Sequence, residues 1–307
     1  MSELNGILNI LKPPGLTSFQ VVQQLRKILE QKKIGHTGTL DPLAVGVLPV
    51  CLGKGTKIIP FLPEEKKQYV FEMELGVRTD TLDREGRVIS RDDGWQKISP
   101  DEIKRIIAGF TGKLSQVPPM YSAVKKNGQP LYQLAREGQE VDRETRKVEI
   151  YSRKIYTVDP PVIRLQLECS RGTYIRSLVR DIGEELGCGA VLNFLIRTRS
   201  GPFHLDSSQP LHRITADSSP RAEMLLPVSA PLNLPELKIR QEAFKYAVNG
   251  ASLYAHNFAD FHLTAADLDK KFVIKGPEEE FIAVSRVVRD DDGRICLHPE
   301  RVFYQQN

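Results

Sequence analysis

The sequence has little cysteine, and it contains no long apolar run. No uninterrupted apolar stretch reaches the ~18 residues that a membrane-spanning helix requires. Residues 1–11 lack the basic start that a signal peptide has. The four cysteines of the 307-residue chain form no C-x-x-C pair, which is unlike a disulfide framework or a zinc site. These absences predict a cytoplasmic protein with reduced thiols, no membrane association and no metal.

The chain carries only a slight excess of positive charge. The chain carries 43 basic and 39 acidic residues, and its hydrophobic fraction of 40% is that of an ordinary folded protein. The small excess is unevenly distributed, because residues 1–235 have 33 basic and 27 acidic residues whereas 236–307 have 10 and 12. An anionic partner is therefore expected to bind mainly to the first part.

Helical and strand patterns are mixed along the chain without a βαβ repeat. Apolar spacing and capping residues predict helices from Thr17 to Gly35, from Ser99 to about Phe110 and from Thr173 to Gly187, and strands at 69–75, 146–158 and 162–169. This mixture favours an α+β fold with a mixed, largely antiparallel sheet.

The last third of the chain changes in composition. Residues 205–235 are rich in Ser and Pro and are predicted to be a linker. Residues 236–307 show short strand patterns separated by turns. We therefore predict two domains, 1–235 and a small β-rich domain at 236–307.

The segment Gly35–Ala44 (GHTGTLDPLA) has the densest set of chemically useful residues. Its glycines allow tight turns, and His36 and Asp41 bring an imidazole and a carboxylate onto one loop. Pro42 restricts the backbone of Asp41, so the carboxylate has a fixed geometry. The alternative interpretation is an aspartate that only stabilises a turn.

Three familiar kinds of site are excluded. The segment 53–56 (GKGT) is unlike a P-loop, because Leu48 and Gly55 stand where that motif requires Gly and Ser or Thr. No G-x-S-x-G nucleophile elbow is present. The six histidines do not cluster, so no metal site is expected.

Several long motifs point to one family. They are GHTGTLDPLAVGVLPVCLGKGTK (35–57), KPPGLTS (12–18), Tyr69 with LGVRTDTLDREG (75–86), VPPMYSAVKKNGQPLYQLAREG (117–138), CSRGTYIRSLVRDIGEELGCGA (169–190) and RTRSG (197–201). Together they resemble the TruB family of tRNA pseudouridine synthases over nearly all of 5–205. The second part, with VNGA (248–251) and HPERVF (298–303), resembles a PUA RNA-binding module.

This resemblance implies an isomerase that converts uridine-55 in the T-loop of tRNA to pseudouridine, without cofactor or metal. It implies that Asp41 is the catalytic carboxylate and that Arg176 is its ion-pair partner. Attack on C1′, attack on C6 and base catalysis through a glycal-type intermediate all remain open. Each route requires an ionised carboxylate, which a neighbouring guanidinium favours.

The resemblance also implies a pocket for a flipped base. Tyr69 would pack on the uracil, a contact worth ~1–3 kcal/mol. Tyr174 and Leu195 would line the pocket, and His36 would fill the space that the base leaves. Residues 121–150 resemble an RNA-clasping insertion. The candidate phosphate contacts are Lys12, Lys125, Lys126, Arg143, Arg197 and Arg199.

Two positions depart from the family pattern. Ile196 stands where arginine is frequent and Gly55 where alanine is frequent, which weakens RNA or packing contacts but leaves the chemistry intact. A non-catalytic RNA-binding or tRNA-folding protein built on the same scaffold is one alternative, and the presence of Asp41 and Arg176 disfavours it. A guided synthase acting on another RNA is the second, and the lack of a long basic tail disfavours it. We expect a monomer with the T-arm of tRNA as its partner.

Overall fold

The computed structural model describes residues 3–62, 66–214 and 224–304. The helices are α1 Ser18–Ile28, α2 Pro100–Gly109, α3 Leu131–Arg136, α4 Ile175–Glu185 and α5 Phe244–Val248. The strands are β1 Gly6–Lys12, β2 Ile34–His36, β3 Val45–Leu52, β4 Lys67–Leu75, β5 Val77–Thr79, β6 Val88–Arg91, β7 Gly112–Gln116, β8 Lys125–Lys126, β9 Gln129–Pro130, β10 Arg146–Asp159, β11 Val162–Cys169, β12 Ala190–Ser200, β13 Phe203–His204, β14 Gln209–Pro210, β15 Leu225–Leu226, β16 Glu236–Lys238, β17 Lys271–Lys275, β18 Phe281–Arg289 and β19 Ile295–Val302.

The main sheet has the strand order β14-β1-β3-β12-β4-β11-β10-β7, with β2, β13 and β15 attached to it. Neighbouring strands are antiparallel except for β1–β14 and β3–β12, which are parallel. Helices α1, α2 and α4 pack on one face of this sheet through a buried apolar core. The prediction of an α+β fold with a largely antiparallel sheet is confirmed.

Local sequence signals account for the starts of α1 and α2. The Thr17 side chain accepts a hydrogen bond from the backbone of Gln20, whose side chain binds back to Thr17, so a capping box begins α1. Ser99 caps α2 in the predicted way, with Pro100 as the first helical residue. At these two positions the local sequence alone predicts the start of the helix.

Two predicted helix ends are wrong. Helix α1 ends at Ile28, because Glu30 takes a left-handed conformation (φ 49°) and the chain then turns into β2, which contains Gly35. Helix α4 has Tyr174 as its N-cap, because the Thr173 hydroxyl donates to the carbonyl of Ser170 instead of capping the helix. Both differences place residues of the candidate site outside the helices.

The predicted linker at 205–235 contributes two short strands to the main sheet. Strands β14 and β15 both pair with β1, and Leu211 and Ile214 are buried in the core. Residues 215–223 of the predicted linker lie outside the described residues. Strand pairing and the burial of apolar side chains therefore determine the structure of this segment more than its polar composition does.

A second sheet with the order β16-β17-β18-β19 has its own core. Its Phe303 and Val284 pack against Ile7, Val47 and Ile58 of the first part. The domain boundary after residue 235 falls directly before β16. That boundary and the PUA-like character of the second part stay predictions.

Candidate active site

Asp41 lies in the loop that joins β2 to β3, and the backbone of this loop is held from several directions. The Ser18 hydroxyl accepts from the N–H of Leu40 at 2.8 Å and lies 3.2 Å from its carbonyl oxygen. The N–H of Gly15 donates to the carbonyl of Pro42 at 2.9 Å. The carboxylate therefore projects from a loop whose backbone groups on both sides are bonded to other segments.

Lys12 lies beneath this loop with none of its surface exposed. Its Nζ donates to the carbonyls of Pro13, Leu16 and Pro42 at 2.9, 2.5 and 3.2 Å. Burial lowers the pKa of Lys12 to about 8, while the charge of Asp41 acts in the opposite direction. The predicted phosphate contact does not fit this position, because the ammonium group is enclosed and bound to backbone carbonyls.

Arg197 on β12 supports the same loop from the sheet. Only 2% of its surface is exposed. Its guanidinium donates to the carbonyls of Val47, Thr39 and Gly38 at 2.8, 3.2 and 3.2 Å. The sequence-based prediction of an Arg197–phosphate contact is not supported, because the buried guanidinium already donates to these three carbonyls.

Arg176 is the ion-pair partner of Asp41. Its Nε lies 2.8 Å from Oδ2 of Asp41, and the Arg176 side chain is 3% exposed whereas that of Asp41 is 31% exposed. The two Nη groups donate to the carbonyls of Thr81 and Tyr121 at 2.9 and 2.7 Å. The guanidinium is thus fixed on its buried side, while the carboxylate keeps one side open.

Asp83 is a second carboxylate beside Arg176, and the sequence did not single it out. Its Oδ2 lies 3.8 Å from Nε of Arg176, and its side chain is buried. Burial raises the pKa of Asp83 above its ordinary value, while a hydrogen bond from the Thr81 hydroxyl acts in the opposite direction. Asp83 belongs to the motif at 75–86, but no local pattern distinguishes it there from Asp80.

A cavity of about 830 Å³ opens beside Asp41. Tyr69 of β4, Leu195 of β12 and Tyr174 at the start of α4 line it together with Asp41. Burial raises the pKa of both tyrosine hydroxyls, so the two rings carry neutral hydroxyl groups at neutral pH. The structure therefore brings together four residues that are separated by up to 154 positions in the sequence.

His36 is half-buried on β2, directly before Thr37, which lines the cavity. Burial lowers the pKa of His36, and the charge of Arg197 adds to this effect. Its Nδ1 has no hydrogen-bond partner among the residues that the structure describes. The neutral imidazole is thus close to the cavity, and its Nδ1 stays without a partner among the described residues.

Cationic side chains surround the cavity, and most of them were missed from the sequence. Arg146 and Lys147 of β10 and Arg171 are exposed and line it. The positions of Arg146 and Lys147 follow from strand pairing, which no local sequence signal gives.

The remaining predicted phosphate contacts differ in their exposure. Lys125 and Lys126 are exposed on β8, in the insertion. Arg143 is mostly buried and donates to the carbonyl of Pro118, and Arg199 is ion-paired with Glu168 at 2.7 Å. The two lysines are therefore the more accessible candidates.

Neither a metal centre nor a membrane helix is found in the described ranges. Within 3–62, 66–214 and 224–304, no three His, Cys, Asp or Glu residues are grouped so that they could hold a metal ion. In the same ranges no helix has both the length and the apolar character needed to cross a membrane. The carboxylates of Asp41 and Asp83 both lie within 4 Å of the Arg176 guanidinium.

Comparisons with known proteins identify the class. Residues 26–175 match the model of the TruB family pseudouridylate synthase N-terminal domain, and 176–233 match the tRNA pseudouridylate synthase B C-terminal domain. A solved structure described as a Cbf5–Nop10–Gar1 complex is 28% identical with a TM-score of 0.72, covering 97% of this chain and 85% of that one. The fold and these matches define a pseudouridine synthase, an isomerase.

The curated relatives are more similar still. The tRNA pseudouridine synthase B of Dehalococcoides mccartyi is 43% identical over 98% of this chain and 97% of its own length. That of Clostridium acetobutylicum is 48% identical over 81% and 86%. The chain belongs to the TruB family, which confirms the resemblance noted from its motifs.

Proposed function

We propose that this enzyme converts uridine-55 in the T-loop of tRNA to pseudouridine, with Asp41 as the essential carboxylate. The relatives that match nearly the whole chain carry the name tRNA pseudouridine synthase B, which supports tRNA as the substrate. The observation that carries the proposal is the position of Asp41. It lines an aromatic cavity and is paired at 2.8 Å with an arginine that is itself buried.

The reaction breaks the N1–C1′ bond of the target uridine and forms a bond from C1′ to C5. The target must leave its stack, which costs a few kcal/mol. Packing on Tyr69 offsets this cost by ~1–3 kcal/mol. A cavity of about 830 Å³ is large enough for a nucleotide, since ligand sites commonly measure roughly 300–1,000 Å³.

Each residue of the cavity has a separate task in this proposal. Asp41 presents the anionic oxygen to the ribose or the base, and Arg176 supplies its positive partner. Tyr69, Tyr174 and Leu195 hold the base and exclude water, which would otherwise capture the separated base or ribose. His36 occupies the space vacated in the RNA. Attack on C1′, attack on C6 and a glycal-type route all use this arrangement.

The RNA is held by cationic groups around the cavity. Arg146, Lys147 and Arg171 are exposed there and favour phosphate binding, which positions the RNA without reading its sequence. The insertion at 121–150 adds Lys125 and Lys126. Lys12 acts indirectly, because it holds the loop of Asp41 from inside the protein. The enzyme acts as a cytoplasmic monomer.

The test uses a T-arm stem-loop RNA that carries tritium at C5 of the target uridine. Isomerisation must release the tritium, because C5 becomes the glycosidic carbon. We expect release by the unaltered enzyme and none by Asp41→Asn, with RNA binding retained. Asp181→Asn, which alters a partly exposed aspartate on α4, serves as the matched control and should keep normal turnover.

The outcomes separate the proposal from its alternatives. Normal turnover by Asp41→Asn would refute the role of the carboxylate. RNA binding without tritium release by the unaltered enzyme would favour an RNA-folding protein. Release only in the presence of a guide RNA and partner proteins would favour a guided synthase.

A further inference from the structure

We infer that Gln116 is a positioning residue. It fixes the start of α4, which carries Tyr174 and Arg176 of the candidate site. Gln116 is the last residue of β7 and is 3% exposed. Its Oε1 accepts from the N–H of Tyr174 at 2.8 Å, and its Nε2 donates to the carbonyl of Tyr174 at 3.0 Å. One amide side chain thus pairs with both backbone groups of a residue 58 positions away.

The start of α4 needs this support because it has no local cap. The N-cap is Tyr174, which makes no side-chain capping hydrogen bond, and the first turn has no acidic residue. Helix starts commonly leave backbone N–H groups to be satisfied by a Ser, Thr, Asp or Asn side chain. Here the Thr173 hydroxyl binds Ser170 instead, so the partner of Tyr174 comes from another strand.

The residues placed by this contact belong to the site. Tyr174 lines the cavity, and Arg176 follows two positions later with its Nε 2.8 Å from Asp41. A shift of the helix start would therefore move one wall of the cavity and the ion-pair partner of the carboxylate together. Such displacements are costly, because about 1 Å of misplacement in a reacting geometry can slow a reaction roughly 100-fold.

The same segment also forms the base of the insertion at 121–150. The Ser177 hydroxyl donates to the carbonyl of Val117 at 2.8 Å, and Arg176 donates to the carbonyl of Tyr121 at 2.7 Å. Gln116 is paired across the sheet with Arg146, at the other end of the insertion. Gln116 therefore holds the insertion and the start of α4 in a fixed position relative to each other. The role of the insertion in binding RNA rests on the proposed function.

A second glutamine, Gln31, also pairs with both backbone groups of one distant residue, and it lies away from the cavity. The Oε1 of Gln31 accepts from the N–H of Leu4 at 2.8 Å, and its Nε2 donates to the carbonyl of Leu4 at 3.0 Å. Gln31 is 8% exposed and its Nε2 also donates to the carbonyl of Lys33 at 3.3 Å, so the loss of its bonds has at least a comparable structural cost. Gln31→Met is therefore a matched control for Gln116→Met.

The experiment compares single-turnover tritium release at saturating T-arm RNA, the Kd for that RNA and the melting temperature. We expect Gln116→Met to lower the rate roughly 10- to 100-fold with a Kd within about threefold of that of the unaltered enzyme. Gln31→Met should lower the melting temperature similarly and keep the rate.

Equal rates for the two variants would overturn the inference, as would a loss confined to the Kd. If Gln116→Met does not fold, Gln116→Glu decides, assayed above the pKa of the new carboxyl group, because the ionised side chain keeps the size and the acceptor for the Tyr174 N–H but loses the donor to the Tyr174 carbonyl. A normal rate for Gln116→Glu would then refute the inference. Failure of the unaltered enzyme to release tritium would contradict the proposed function instead.

Discussion

The buried ammonium of Lys12 is expected to make the enzyme more stable as the pH rises above 8. None of the Lys12 surface is exposed, and burial lowers its pKa from 10.5 to about 8 in the native state. Between these two values the unfolded chain binds a proton that the native protein has already released. The free energy of unfolding therefore rises with pH across this range, and no such gain occurs below pH 8.

The size of the effect follows from the two pKa values. Each pKa unit corresponds to about 1.4 kcal/mol, so the full gain is roughly 3 kcal/mol. Lys12→Met removes the titrating group and leaves three backbone carbonyls without their donor, at a cost of ~1–3 kcal/mol each. The variant should be less stable at every pH, and the difference should widen between pH 8 and 10.

Urea denaturation of both proteins from pH 7 to pH 10.5 measures this difference. Lys126→Met, which removes an exposed lysine of the insertion, controls for the loss of a lysine in general. A stability difference between the unaltered protein and Lys12→Met that stays constant from pH 7 to 10.5 would refute the reasoning. It would mean that the ammonium group is not desolvated in the native protein.

Three other changes test the packing around the site. Burial raises the pKa of Asp83, so the unaltered protein should lose stability relative to Asp83→Asn as the pH rises from 4 to 7; urea denaturation at both pH values checks the sign. Arg197→Leu leaves three backbone carbonyls, two of the loop and one of β3, without their donor; a loss of roughly 3–6 kcal/mol is expected in the same assay, whereas a loss below about 1 kcal/mol would contradict it. Gly46→Ala places a Cβ 2.3 Å from a backbone oxygen at φ +109°. It should lower the melting temperature far more than Gly187→Ala, where the same kind of φ has open space around it.

Prediction from the sequence worked best where the signal was local. The capping box at Thr17, the cap at Ser99 and the alternation that predicts β4 all depend on residues within a few positions of one another. It failed at the end of α1, because the left-handed Glu30 has no local signature such as a glycine. It also failed at 205–235, where strand pairing outweighed a polar composition.

The candidate site was predicted in part for a different reason. Asp41, Arg176, Tyr69, Tyr174 and Leu195 came from the family resemblance, and the structure brings all five together. The roles of these residues stay proposals.

Residues whose role is not marked by any motif could not be identified in this way. Lysine and arginine are usually exposed, so the enclosed positions of Lys12 and Arg197 ran against the ordinary expectation. The pairing of Gln116 with Tyr174 joins strands and helices that are far apart in the chain, and so does the approach of Asp83 to Arg176.

The amino-acid sequence alone determined the family and the mixed α+β class, and it singled out the carboxylate that we propose for the chemistry, because long motifs and short-range periodicity can be read without coordinates. Only the tertiary structure decided which charged side chains are enclosed, which edge of the Arg176 guanidinium faces Asp41, and which glutamine holds the start of α4. The reason is physical: burial and pairing depend on strand register and on the packing of helices over the sheet, and both join residues that the linear sequence separates.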